Sequence, residues 1–211
     1  MRISGGLAKG RRTATKRLFS KVSDGEKLRP TSSKVREALF DIIREKIEGA
    51  IFVDLYAGTG TVGLEALSRG AGKAIFVEPN ELRFRTIRKN ADEFGFRERA
   101  LMVKGRAYEF LKKLSVGKES FDIFFLDPPY HSEEISKILP LIEEKGLLKE
   151  DGIVIVEHFF KKTLPEIAGK LKIDRSYRYG DTMLTLYSVR KSPSGEVKNK
   201  PKLSNGVYRK V

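Results

Sequence analysis

From residue 51 onward, short apolar runs alternate with stretches in which apolar positions recur every three or four residues. Ile51-Phe52-Val53-Asp54-Leu55 is the first such run and predicts a buried strand. Residues 61–69 predict a helix closed by Gly70, followed by a strand at Ala74-Ile75-Phe76-Val77 and a helix over about 80–94. A third strand is expected near 100–104, a helix near 107–114, a fourth strand from Phe121 to Leu126, and a helix over about 133–145. Ile153-Val154-Ile155-Val156 predicts a fifth strand. A shorter helical or irregular piece at 161–169 then leads into a hairpin, 171–178 with 182–189, whose apolar residues alternate. Repeated strand–helix units with nearly all-apolar strands imply an α/β fold, a mostly parallel sheet covered on both faces, and the hairpin implies an antiparallel edge.

Upstream the pattern changes. The first thirty residues carry Gly5-Gly6, Gly10, Gly25 and Pro30 between short polar and apolar stretches, which reads as one or two small β-hairpins. A helix is expected after Pro30, capped by Thr31 or Ser32, with Val35, Leu39, Ile42, Ile43 and Ile47 at helical spacing. Residues 190–211 hold Ser, Pro, Gly, Asn and Lys without periodicity and read as a flexible tail. The expected organisation is a basic extension at 1–30, one domain at 31–189, and a basic tail at 190–211.

Charge sharpens this division. Of the net +14, residues 1–36 carry +9 and residues 190–211 carry +6, leaving −1 for the middle. A neutral body between two basic ends suits a catalytic core flanked by segments that meet a polyanion. Arg2, Lys9, Arg11, Arg12, Lys16, Arg17 and Arg29 are the candidate RNA contacts. No apolar window reaches the length of a membrane span, and no secretory signal pattern opens the chain, so a cytoplasmic location is expected. The 211 residues include no cysteine and two histidines, which excludes disulfides, thiolate metal sites and cysteine nucleophiles and argues against a histidine metal site.

The chemistry concentrates at two strand ends. After the first strand, Gly58, Gly60 and Gly63 match G-x-G-x-x-G between a strand and a helix, where close backbone approach to a nucleotide-type cofactor is possible. Glu78, twenty residues after Gly58, ends the second strand, placed to accept from ribose hydroxyls. Asp54, ahead of the glycines, would repel a pyrophosphate but can hold the ammonium of an amino acid moiety. S-adenosylmethionine has that ammonium, a ribose and no phosphate, so it is the expected cofactor, cradled by Asp54, Ala57, Gly58, Gly60, Glu78 and Pro79.

The fourth strand ends in Asp127-Pro128-Pro129-Tyr130, the expected catalytic loop. Two prolines stiffen it. The Asp127 carboxylate and Pro128 carbonyl can accept the two hydrogens of an exocyclic amine, and Tyr130 offers a face on which a flipped or unpaired base can stack. His131 reads as a loop residue and His158 as structural.

Several stretches together resemble a known family. They are Arg2-Ile3-Ser4-Gly5-Gly6 with Gly10-Arg11, Arg29-Pro30-Thr31, Val35-Arg36-Glu37-Ala38-Leu39-Phe40 and Asp54 to Gly63. Leu64-Glu65-Ala66-Leu67-Ser68-Arg69-Gly70-Ala71, Val77-Glu78-Pro79-Asn80 and the Asp127 tetrapeptide complete the set. The chain resembles the RsmD-type bacterial 16S rRNA (guanine(966)-N(2))-methyltransferases over about residues 1–189. The resemblance implies a class I S-adenosylmethionine-dependent methyltransferase (Rossmann-like) fold with seven strands and a small N-terminal β extension that helps grip RNA. It also implies guanine N2 of 16S rRNA as target, with the rRNA or the small-subunit ribonucleoprotein as partner, and Thr31 near the cofactor. A monomer without metal is expected. Where such enzymes often carry an acidic residue after the third strand to face the cofactor adenine, this chain has Gly105-Arg106-Ala107, so adenine contacts are expected from backbone or from another residue, with Arg106 and Ala107 among the cofactor-binding positions. The rival readings are an adenine-N6 DNA methyltransferase, a non-catalytic RNA-binding assembly factor, and an NAD oxidoreductase.

Overall fold

The computed structural model describes residues 1–13, 32–129 and 132–189. Five helices and eight strands lie within them: α1 (Ser33–Ile42), β1 (Ile51–Asp54), α2 (Thr61–Ser68), β2 (Lys73–Glu78), α3 (Glu81–Glu93) and β3 (Ala100–Lys104). They continue as α4 (Ala107–Lys113), β4 (Phe121–Leu126), α5 (Glu134–Glu144), β5 (Leu148–Phe159), β6 (Ile167–Ala168), β7 (Leu171–Tyr179) and β8 (Thr182–Val189).

The strands form one sheet in the order β3-β2-β1-β4-β5-β8-β7-β6. β1 to β5 are mutually parallel, whereas β8 and β7 run antiparallel beyond β5. Successive residues of the central strands serve opposite faces. Phe52, Phe76, Phe125 and Ile155 meet α1, α2 and α3, while Val53, Val77, Phe124 and Val156 meet α4 and α5. That two-sided burial is why these strands read as unbroken apolar runs. On the first face the Phe40, Phe52 and Phe125 rings stack with centroids 6.4 Å apart at each step.

The elements expected between residues 32 and 189 are present, with three differences. Ser32 caps α1 by accepting from the Val35 amide, and the helix stops at Ile42 instead of running to Ile47, which follows a short 3-10 turn. β5 is twelve residues long and not four. The piece at 161–169 is irregular and ends in the two-residue β6, an eighth strand added to the seven expected. Pro165 supplies no amide hydrogen and Gly169 sits at φ 62°, which together disfavour a helix in this piece. Among the described residues, no helix is long and apolar enough to cross a membrane.

The N-terminal segment 1–13 folds back on itself through a single bridge between Arg2 and Arg12 and packs Ile3 and Ala8 into the core. The rest of the expected hairpin region, including Lys16, Arg17, Arg29 and Thr31, lies outside the described residues, as do Tyr130, His131 and the tail.

Candidate active site

The strand order reverses between β1 and β4, so the two loops following them leave the sheet on either side of a crevice at its carboxyl edge. Asp54 pairs with Phe125, two residues before Asp127, which brings the glycine turn and the Asp127 loop to neighbouring strand ends. The pairing continues past β1, since the Leu55 amide donates to the Phe125 carbonyl at 3.0 Å and the Ala57 amide to the Val77 carbonyl at 3.1 Å. The turn is thus stitched to both adjacent strands.

Each glycine of the turn has its own reason. Gly58 and Gly60 adopt φ of 53° and 72°, the left-handed region that glycine enters without strain. A Cβ at Gly63 would stand 2.3 Å from the Phe76 ring, so the third glycine lets α2 lie close on β2.

The acids differ in how the fold satisfies them. Glu78 is buried, with one carboxylate oxygen accepting from the Gly58 amide at 2.9 Å and the other from the Asn80 amide at 2.8 Å. These bonds hold the carboxylate beside the turn, and the Arg83 guanidinium stands 3.8 Å from Oε1. Asp54 is also buried, at 1% exposure. Its Oδ2 accepts a long bond from the Gly63 amide, 3.3 Å, while Oδ1 is buried with no hydrogen-bond partner among the described residues. Burial pushes the Asp54 carboxyl up to about 7, with the nearby Glu78 and Glu157 charges adding to it and backbone amides opposing it. A buried carboxylate oxygen without a partner among the described residues can accept from a cation.

The other expected residues fall around this pair. Pro79 follows Glu78 and is exposed, and the Gly105 amide donates to the Glu78 carbonyl at 3.3 Å, which sets Arg106 and Ala107 beside the second strand's end. Ala107 is buried there, whereas Arg106 is exposed at the N-terminus of α4. Asp127 is half-buried, Pro128 buried and Pro129 exposed. The Ser132 amide donates to the Pro129 carbonyl at 2.9 Å, and the Lys162 ammonium donates to the Ser132 carbonyl, fastening the loop to the end of β5. His158 is buried on β5, its Nε2 2.9 Å from Thr185 Oγ1, in keeping with a structural part.

Among the candidate RNA contacts, Arg2, Lys9, Arg11 and Arg12 are exposed on the arm. Arg11 is also engaged by the protein, since its guanidinium donates to the Glu93 carbonyl at 2.8 Å and covers the Phe94 ring.

Reading for periodicity missed the device that places this arm. Glu65 and Arg36 are both almost fully buried, and Arg36 Nε donates to Glu65 Oε2 at 2.8 Å. Arg69 donates to the other oxygen at 3.0 Å, and the Ser4 amide and hydroxyl both donate to the same carboxylate. Burial alone would raise the Glu65 carboxyl, but the bonds from Ser4 and Arg36 outweigh it and hold the group below its ordinary value. Arg36 also donates to the Arg2 carbonyl, and Ser68 Oγ bridges the Ala8 amide and the Gly5 carbonyl. The Met1 sulfur accepts from the Thr61 hydroxyl at 3.5 Å, so the arm's first residue rests on the glycine turn. The signal in the sequence was the pairing of Ser4-Gly5-Gly6 with Glu65-Ala66-Leu67-Ser68-Arg69, whose purpose local spacing does not reveal.

The family model described as conserved hypothetical protein 95 matches residues 1–188. The Bacillus subtilis (strain 168) protein YlbH is 34% identical over 90% of this chain and 100% of its own length. The ribosomal RNA small subunit methyltransferase D of Escherichia coli (strain K12) is 30% identical over 89% of each chain. The solved structure of YhhF from Escherichia coli superimposes with a TM-score of 0.76 and 28% identity, covering 90% of this chain and 97% of that one. With the switch-point crevice, the glycine turn and the Asp127 loop in register on this fold, the chain belongs to the conserved hypothetical protein 95 family, the family of the RsmD-type methyltransferases.

Proposed function

We propose that the chain is an S-adenosylmethionine-dependent methyltransferase acting on an exocyclic base amine, guanine N2 of 16S rRNA during small-subunit assembly. The observation that carries the reading is the buried Oδ1 of Asp54, without a hydrogen-bond partner among the described residues and adjacent in the sheet to the Asp127 loop. The residues fit the donor on chemical grounds: Asp54 suits its ammonium, Glu78 its ribose hydroxyls, and Gly58 and Gly60, which carry no side chain, its close backbone approach. When bound, the donor supplies an electrophilic methyl group on a sulfonium.

This chain's own residues do the rest. Asp127 and the Pro128 carbonyl accept the two amine hydrogens, which turns the nitrogen lone pair toward the crevice. The negative carboxylate favours the positive charge that develops on nitrogen, and it can take the proton that leaves afterwards. Pro128 and Pro129 remove backbone freedom from the loop, so little entropy is lost when the base arrives. Tyr130 supplies the stacking face. With no cysteine in the chain, a covalent thiol adduct has no place in the route. The exposed arm cations, Arg2, Lys9, Arg11 and Arg12, meet phosphates beside the crevice, and Lys16, Arg17 and Arg29 extend that contact.

The test is Asp127→Ala. Methyl incorporation into small-subunit RNA should be lost while S-adenosylmethionine binding by calorimetry is kept. Equal loss of both would show that Asp127 only shapes the fold. Methylation of DNA in preference to the small subunit would turn the reading to the adenine-N6 alternative.

A further inference from the structure

Next to the Asp127 loop, the sheet's carboxyl edge carries a second group of residues that the proposed transfer does not use. Phe125 and Leu126 of β4 lie against Ile155 and Val156 of β5, so Phe159 and Phe160 follow only a few residues past the level of Asp127. The β7–β8 turn reaches the same edge, because Phe159 pairs with Thr182 and the Phe160 amide donates to the Asp181 carbonyl at 3.0 Å.

There the Arg178 guanidinium lies 4.0 Å above the Phe160 ring, with the Lys161 ammonium 5.6 Å from the same ring. Phe159 meets Phe160 edge to face at 4.8 Å. Arg178 is exposed, yet its Nε donates to the Gly180 carbonyl at 2.9 Å, so its plane is held by a hydrogen bond as well as by the ring. Lys162 adds a third cation and ties the cluster to the catalytic loop through the Ser132 carbonyl. Asp181 is the one acid among the residues of these two tips, 159–162 and 178–182.

The Arg178 guanidinium, seated over an aromatic ring at an exposed edge with two lysines nearby, presents a planar cationic face. It matches single-stranded RNA, whose bases stack on aromatic and guanidinium planes while lysines take the phosphates. We propose that Phe160 and Arg178 form a stacking platform for an unpaired nucleotide flanking the target base, with Lys161 on its phosphate. The inference rests on the methyltransferase reading only for which nucleotide is the target.

The test uses the full chain and a short single-stranded RNA carrying 2-aminopurine beside a guanine. Phe160→Ala and Arg178→Ala should each weaken RNA binding on the order of tenfold and relieve the quenching of 2-aminopurine, with S-adenosylmethionine affinity kept. Arg178→Lys should recover only part of the loss, since an ammonium offers no plane. Undiminished binding in both alanine variants would overturn the proposal, and full recovery by lysine would reduce the site to plain charge attraction and overturn the stacking. Should Phe160→Ala fail to fold, the exposed Arg178 substitutions carry the test alone. Wild-type protein that binds this RNA through Phe160 but never methylates RNA would sink the methyltransferase reading and spare the platform; methylation and binding both unaffected by the variants would do the reverse.

Discussion

The Asp54 carboxyl gives the cofactor reading a quantitative consequence. Its pKa stands at about 7 because the group is buried, with the Glu78 and Glu157 charges adding to the rise and the Gly63 and Tyr56 amides opposing it. An ammonium placed against it favours the ionised form, so donor binding must expel a proton wherever the free carboxyl holds one. With a pKa of about 7, the group is roughly one-tenth ionised at pH 6 and roughly three-quarters ionised at pH 7.5. Ionisation alone would strengthen binding about eightfold over that interval. The donor's own α-amino group, with an ordinary pKa of about 7.7–8.0, loses part of its charge by pH 7.5 and trims the gain to about sixfold, or ~1 kcal/mol. Calorimetric titration in buffers of differing ionisation heat measures both the affinity and the proton released. Asp54→Asn should flatten the profile and weaken binding at pH 7.5.

The ligand-free chain should respond oppositely. A carboxyl raised from 3.8 to about 7 in the fold contributes stability that is fully present below about pH 4 and is lost as pH rises through about 7. Unopposed, that loss amounts to roughly 4 kcal/mol. Affinity that stays level between pH 6 and 7.5, with no buffer-dependent heat, would refute the argument that Asp54 receives the ammonium.

Two further outcomes follow from the packing. Glu65→Gln leaves the Arg36 guanidinium, 1% exposed, without its counter-charge, and should cost ~3–5 kcal/mol, seen as a fall of roughly 10 °C in thermal midpoint and lost exchange protection at the Ser4 amide; an unchanged midpoint would mean the network does not anchor the arm. Gly63→Ala sets intrinsic helix preference, ~1 kcal/mol in favour of alanine, against a Cβ only 2.3 Å from Phe76, and the clash should prevail with a net loss of ~1–3 kcal/mol in denaturant unfolding. A stabilised variant would refute the close-packing account of the third glycine.

What the chain declares by itself is whatever one element can show in its own residues. Ile123 to Leu126 is apolar on both sides because both sides of β4 are covered there, and that pattern is present before any neighbour is known. The glycine turn and the two prolines of the Asp127 loop are equally local, since each answers a backbone need at its own position. Glu65 and Arg36 are the opposite case. Each is a charged residue on a helix and reads as solvated, and only folding brings the two together, 29 positions apart, with Ser4 a further 61 positions from Glu65. The same holds for Arg178 over Phe160 and for the raised Asp54 carboxyl, whose burial and whose neighbours Glu78 and Glu157 come from three separate strands. Periodicity records which face of an element is buried, but charge pairing and desolvation depend on distances between elements, and those exist only once the sheet has assembled.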